Sequence, residues 1–144
     1  MNLEKLFEST KDAIDKHDGK NIKYLYDILK KYDNKDWYKY VNINEDTYTK
    51  TFVNGNEDFD IYIITWNKYQ ESKIHDNSEN GCIFRVLKGH LIEEAFNDKL
   101  EIIGIRSLYK NNIGYVDDYF KLHKMINTKN NCAVSLHIYY PTKY

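Results

Sequence analysis

Six short runs of β-forming residues, each bounded by turn-forming clusters, dominate the chain from residue 47 onward: 47–53, 60–66, 82–87, 90–96, 100–109 and 133–140. Between them lie Asn54-Gly55-Asn56, residues 76–81, Asn111-Asn112 and residues 128–131, rich in the residue types that accept tight backbone reversals. Strands this short, with no helical periodicity between them, pair antiparallel into a sandwich or barrel, not into alternating βαβ units. The N-terminal part has a different texture. Leu3, Leu6, Phe7, Ala13 and Ile14 recur near helical spacing, with Gly19 as a stop. Ile22, Leu25, Tyr26 and Leu29 mark a second helix, whose basic end at Lys30 and Lys31 suits the helix dipole. A short aromatic segment opens at Asp36 and Trp37. The expectation is one domain over 1–144, helical in 1–40 and β in 46–144.

Charge and composition exclude several functions. With 21 Lys and Arg against 22 Asp and Glu the formal net charge is −1, whereas nucleic-acid binding wants a basic face. No run of about 20 apolar residues offers a membrane span, and the first residues lack a signal peptide's apolar stretch. Two cysteines, Cys82 and Cys132, do not make a disulfide framework. A cytoplasmic chain is expected, with no nucleic-acid or membrane partner, as a monomer or weak homodimer. Fourteen tyrosines and six phenylalanines are core-forming material, not linker.

Among the five histidines, His17 falls on a polar helix face and His90 follows Gly89 at a strand start. Both read as ordinary surface or turn residues. His75, His123 and His137 each stand inside a pattern. His75-Asp76-Asn77 is followed by four residues, Cys82, six residues and Gly89. That run resembles the first cupin motif, His-x-His-(x)3–4-Glu-(x)6-Gly. On a strand, residues two apart share a face, so positions 75 and 77 point inward and Asp76 points away. His123 and Asn127 reproduce the His-(x)3-Asn end of the second cupin motif. A barrel that brings His123 beside the 75/77 pair makes a three-ligand metal site with open positions.

The flanking residues narrow the resemblance. SKIHDNSENGCIFRVLKGHLIEEAF (72–96) is similar to the cysteine dioxygenase signature Ser-x-Ile-His-Asp-His, a Cys, then Lys-x-Leu-x-Gly-x-Leu-x-Glu. GYVDDYFKLHKMIN (114–127) resembles that family's Tyr-Ile-x-Asp-x-x-Gly-Leu-His-x-x-x-Asn, and NCAVSLHIYYP (131–141) its Ala-Val-Ser-Leu-His-x-Tyr-x-Pro. Trp66 and Tyr48-Thr49-Lys50 match the family's Trp and Tyr-Thr-Arg. The resemblance implies a mainly β, cupin-type antiparallel β-barrel (jelly-roll-like) with two or three N-terminal α-helices.

It also implies an iron(II) enzyme that adds O2 to L-cysteine or a related small thiol, giving a sulfinic acid. His75, Asn77 and His123 would then hold Fe(II), and Lys50 would meet the substrate carboxylate, with Tyr48 and Trp66 beside it. Cys82 and Tyr139 match the pair joined by a thioether in many eukaryotic members. His137 would orient the phenol, with Ser135 one step along the same face. Taken singly, Cys82 reads as a small buried hydrophobe, Tyr139 as one tyrosine among fourteen, and Trp66 as core. Their joint order makes the case.

Three departures matter. Asn77 replaces a metal-ligand histidine, Lys50 replaces an arginine and loses its two-pronged grip, and Lys121 replaces a loop glycine. Family members also continue with further strands beyond the Tyr-Tyr-Pro segment. Asn77 leaves two readings: an altered thiol dioxygenase, or a metal-poor cupin that binds a small ligand or regulates a partner.

Overall fold

In the computed structural model, which describes residues 1–17, 22–76, 81–116 and 122–141, helices precede the β-forming runs. Helix α1 (Leu3–His17) leads to a 3-10 turn (Ile22–Tyr24), α2 (Leu25–Lys30) and a 3-10 helix (Asp36–Tyr40). The strands follow as β1 (Thr49–Gly55), β2 (Asp60–Trp66), β3 (His75–Asp76), β4 (Cys82–Lys88), β5 (His90–Phe96), β6 (Ile102–Tyr109), β7 (Ile113–Tyr115), β8 (Leu122–Ile126) and β9 (Ala133–Tyr139). They form a five-stranded sheet, β1-β2-β9-β4-β7, and a four-stranded sheet, β3-β8-β5-β6. All named pairings are antiparallel. The fold is the mainly β, jelly-roll architecture of the cupins.

The five-stranded sheet is covered on both faces, which is why β9 is buried at every position. Alternation sorts its side chains. Val134, Leu136 and Ile138 face outward with Ile61, Ile63, Ile83 and Leu87, and meet Leu3, Leu6, Ile14, Leu25, Leu29 and Trp37 from the helical segment. The inward residues of β2, β4 and β9 include Ile64, Trp66, Cys82, Phe84, Val86, Ala133 and Tyr139, which pack with Leu91, Leu108 and Met125 of the second sheet. Each large side chain withdrawn from water in these layers contributes about 1.5–3 kcal/mol.

Two polar groups fasten the helices. Asp36 accepts the Leu3 amide at 2.8 Å and the Tyr32 hydroxyl. Arg85, outward on β4, donates to the Leu29 carbonyl at 2.9 Å, to the Tyr32 carbonyl, and to Asn111 Oδ1 at 3.0 Å. Leu29 lies in the last turn of α2, where carbonyls outnumber the helix's own donors, and its oxygen accepts the Tyr32 amide at 3.3 Å together with the guanidinium.

The structure adjusts several boundaries. The second helix splits into a 3-10 turn and α2, and the aromatic segment at Asp36 is a 3-10 helix. The run at 100–109 begins as a strand only at Ile102, because Leu100 sits at φ 63° in a turn. There the Asn97 side chain accepts the amides of Lys99 and Glu101, both at 3.0 Å. Strands β3, β7 and β8 are additions to the six runs, each only two to five residues long. Gly89 has φ 79°, and a Cβ there would lie 3.0 Å from the Cys132 carbonyl oxygen. The motif glycine therefore answers to both backbone conformation and close approach. Gly19 lies outside the described residues.

Candidate active site

A cavity of about 220 Å3 lies between the sheets. One wall carries imidazoles. His75 on β3 stands directly opposite His123 on β8, and their Nε2 atoms are 3.0 Å apart, with the rings tilted by 59°. Each ring is held through its other nitrogen. His75 Nδ1 lies 2.8 Å from the Lys73 carbonyl oxygen, and His123 Nδ1 lies 2.6 Å from Glu93 Oε2. Both of those partners accept hydrogen bonds, which favours a proton on each Nδ1 and turns the two Nε2 atoms toward the same point.

Two imidazole nitrogens meeting this closely suit a shared cation. Metal–imidazole bonds are roughly 2.0–2.1 Å long, so one ion between the rings would be within reach of both nitrogens. Among the described residues, no group of three or more His, Cys, Asp or Glu side chains converges. Asn77, the expected third ligand, lies outside the described residues, as does Lys121.

The segment around His75 is anchored by side chains. Buried Ser72 accepts the Met125 amide on Oγ at 3.0 Å and donates its own amide to the Met125 carbonyl at 2.9 Å. Asn127, fully buried, donates to the Trp66, Asn67 and Asn131 carbonyls at 3.1, 3.1 and 2.7 Å. The motif asparagine thus ties β8 to the end of β2. Asp76, expected to point away from the site, is exposed yet lines the cavity rim.

The facing wall carries sulfur and phenol. Cys82 and Tyr139 are direct partners across β4 and β9, and both line the cavity. Directly opposed residues bring their Cβ atoms within about 5 Å. His137 Nδ1 is 3.6 Å from Cys82 Sγ, and its Nε2 is 2.7 Å from Ser135 Oγ. Trp66 Nε1 donates to that same hydroxyl at 3.0 Å, which leaves the Ser135 proton for His137 Nε2. The imidazole lies nearly parallel to the rings of Phe84 and Tyr139, with centroids 5.1 and 5.8 Å away.

Electrostatics fix the resting states of this wall. Burial, reinforced by Lys50 and by His123 and His75, holds His137 well below its ordinary value, so it is neutral near pH 7. Burial and then the nearby Cys82 push the Tyr139 phenol well above its ordinary range, so it keeps its proton. The Lys50 ammonium sits 4.2 Å over the Tyr139 ring and 4.4 Å over Tyr62. Such cation–π seats hold a positive charge at a cavity wall. Tyr48 stacks on Trp66 with ring centroids 4.6 Å apart, and both line the cavity.

The profile of the family described as cysteine dioxygenase type I matches residues 3–143. The chain belongs to the cysteine dioxygenase type I family. A zebrafish (Danio rerio) cysteine dioxygenase type 1 is 30% identical over 86% of this chain and 67% of its own length. The rat (Rattus norvegicus) protein of the same name is 32% identical over 86% of this chain and 67% of its own. The chain thus spans about two thirds of the relatives it matches. In three dimensions it is similar to a Klebsiella pneumoniae protein with a double-stranded β-helix domain: TM-score 0.59, 14% identity, covering 72% of this chain and 84% of that one.

For this cysteine dioxygenase family chain, the structure brings Lys50, Tyr48, Trp66, His75, Cys82, His123, His137 and Tyr139 around one cavity, with Ser135 immediately behind. Sequence reasoning gave no site role to Glu93, the glutamate of the Leu-x-Gly-x-Leu-x-Glu match, or to Arg106. Glu93 is fully buried and bridges the His123 ring and the Arg106 guanidinium. The signal was present in the alternation of β5, which puts Glu93 on the inward face with Leu91 and Ala95. A carboxylate in such a position needs partners to be tolerated.

Proposed function

We propose that the chain is an iron(II)-dependent thiol dioxygenase that converts L-cysteine, or a close aminothiol, and O2 into the corresponding sulfinic acid. The observation that carries this reading is the pair of Nε2 atoms 3.0 Å apart, facing a sulfur and a phenol across one small cavity. His75 and His123 would hold the iron, with Asn77 as the third donor. Iron(II), when bound, supplies the redox chemistry that spin-paired organic thiols lack toward O2. Two neutral imidazoles and an amide leave the centre's positive charge available to an anionic thiolate.

The remaining roles belong to this chain's own groups. Lys50 attracts the substrate carboxylate, as a point charge instead of an arginine's planar fork. Tyr139 holds a proton at its phenolic oxygen and offers it as a hydrogen bond where negative charge develops. His137, fixed by Ser135 and Trp66, keeps the sulfur and phenol side of the cavity in register. At about 220 Å3 the cavity is smaller than the roughly 300–1,000 Å3 of drug-sized sites, which suits a molecule of a few heavy atoms. The Cys82–Tyr139 pairing also supports a thioether, formed with loss of two hydrogens to an oxidant such as O2.

The test is O2 consumption by the chain with cysteine and added Fe(II), with product analysis for cysteine sulfinate. Stoichiometric uptake and sulfinate are expected, and Asn77→His is expected to raise both retained iron and turnover. A chain that retains no divalent metal and consumes no O2 with any small thiol would instead be a ligand-binding or regulatory cupin.

A further inference from the structure

Glu93 has its two carboxylate oxygens assigned to different neighbours. Oε1 accepts from Arg106 Nε at 2.7 Å and from Arg106 Nη2, while Oε2 faces His123 Nδ1 at 2.6 Å. Register explains the arrangement: Glu93 is directly opposite Arg106 on β6 and opposite Met125 on β8, which places His123 on the diagonal. Arg106 also donates to the Tyr115 carbonyl at 3.2 Å, so its guanidinium is located from two sides. Glu93 is fully buried, and Arg106 is 27% exposed.

We infer that Glu93 and Arg106 are positioning residues that fix His123 in its Nδ1-protonated tautomer, so that Nε2 presents a lone pair to the cavity. The argument rests on donor and acceptor arithmetic. A guanidinium only donates, so whatever group replaces the carboxylate must turn an acceptor toward Arg106. In Glu93→Gln, a change that preserves shape, the single carbonyl oxygen goes to Arg106 and the NH2 faces His123. Nδ1 must then accept, and the ring proton moves to Nε2, where it blocks the lone pair. If Arg106 is also replaced by Met, the amide is free to turn its oxygen back toward His123. The functional use of this device, a ring ready to ligate, rests on the reading of the site given above; the tautomer itself does not.

The experiment uses the full chain, metal-free and labelled with 15N at histidine. Long-range nitrogen–proton correlation spectra taken above neutral pH report which nitrogen carries the proton, and anaerobic Fe(II) titration is run in parallel. Wild-type protein is expected to show His123 protonated at Nδ1. Glu93→Gln is expected to move that proton to Nε2 and lower Fe(II) affinity about 10–100-fold. The Glu93→Gln/Arg106→Met double variant is expected to restore the Nδ1 signature and most of the affinity. Arg106→Met alone, which keeps the accepting carboxylate, is expected to hold the wild-type tautomer and serves if the glutamine variant is unfolded in thermal melts. Retention of the Nδ1 signature in Glu93→Gln, failure of the double variant to restore it, or its loss in Arg106→Met would overturn the inference. The expected tautomers in a chain that never binds Fe(II) would uphold it while removing the dioxygenase reading.

Discussion

Ser135, His137 and Tyr139 stand on a strand hydrogen-bonded on both sides along its length, to β2 and to β4. His75, on the facing wall, stands on a strand of two residues that pairs with β8 alone among the described residues. The sulfur and phenol wall is therefore set by main-chain registry, with tightly packed layers on both faces of the sheet. The imidazole wall relies on individual side chains: Ser72 pinning the approach to β3, Asn127 the exit from β8, and Glu93 the ring of His123. The difference teaches that one cavity can combine a wall tolerant of local change with a wall in which single hydrogen bonds matter.

The sharpest break between the walls lies in chemistry. His123→Ala is expected to abolish retained iron and all iron-dependent turnover, measured by metal analysis and O2 uptake. Tyr139→Phe is expected to keep its iron while kcat falls about 10²–10⁴-fold, the range for losing a positioned proton donor. Equal iron loss in both variants would show that the walls do not divide the work.

In stability the order reverses. Leu136→Ala, behind the phenol wall, is expected to cost about 2–5 kcal/mol, read from denaturant midpoints. Ser72→Ala is expected to cost about 1 kcal/mol, the net value of one hydrogen bond. Exposed Ile105→Ala, on the outer face of the four-stranded sheet, is expected to stay within about 0.5 kcal/mol of wild type.

Acidity separates the walls more gently. His137 is buried neutral, with its folded-state value below the ordinary 6.5. Below about pH 6.5 the unfolded chain therefore binds a proton that the folded chain refuses, and stability falls as pH falls, by at most about 1.4 kcal/mol per pH unit from this group. His137→Gln is expected to flatten that part of the slope between about pH 6.5 and 5 in denaturant midpoints. An unchanged slope would place the acid sensitivity elsewhere.

Much of this was legible in the residues. The bounds of β2 and β5 coincide with the runs read at 60–66 and 90–96, because long alternating or wholly apolar runs announce themselves. The convergence of His75 and His123 followed from two spaced motifs, and the structure sets them directly opposite. Strands as short as β3 and β7 carry too few residues to show periodicity. The turn at Leu100 was hidden by the apolar Ile102-Ile103 pair that follows, since the deciding contact is an asparagine side chain three residues earlier. The bond between Glu93 and Arg106 depends on which residues two strands bring opposite each other, and such registry is set by packing and turn geometry across the sheet.

Arg85 and Cys82 sit three residues apart on β4, one gripping the end of α2 and the other lining the cavity between the sheets. The amino-terminal forty residues are thus a lid on hydrophobic cargo, not an appendage. A shortened form starting after Tyr40 would bare Ile61, Ile63, Ile83, Leu136 and Ile138 to water as one continuous sticky surface. Such a fragment should precipitate during expression long before its catalytic competence could be assayed.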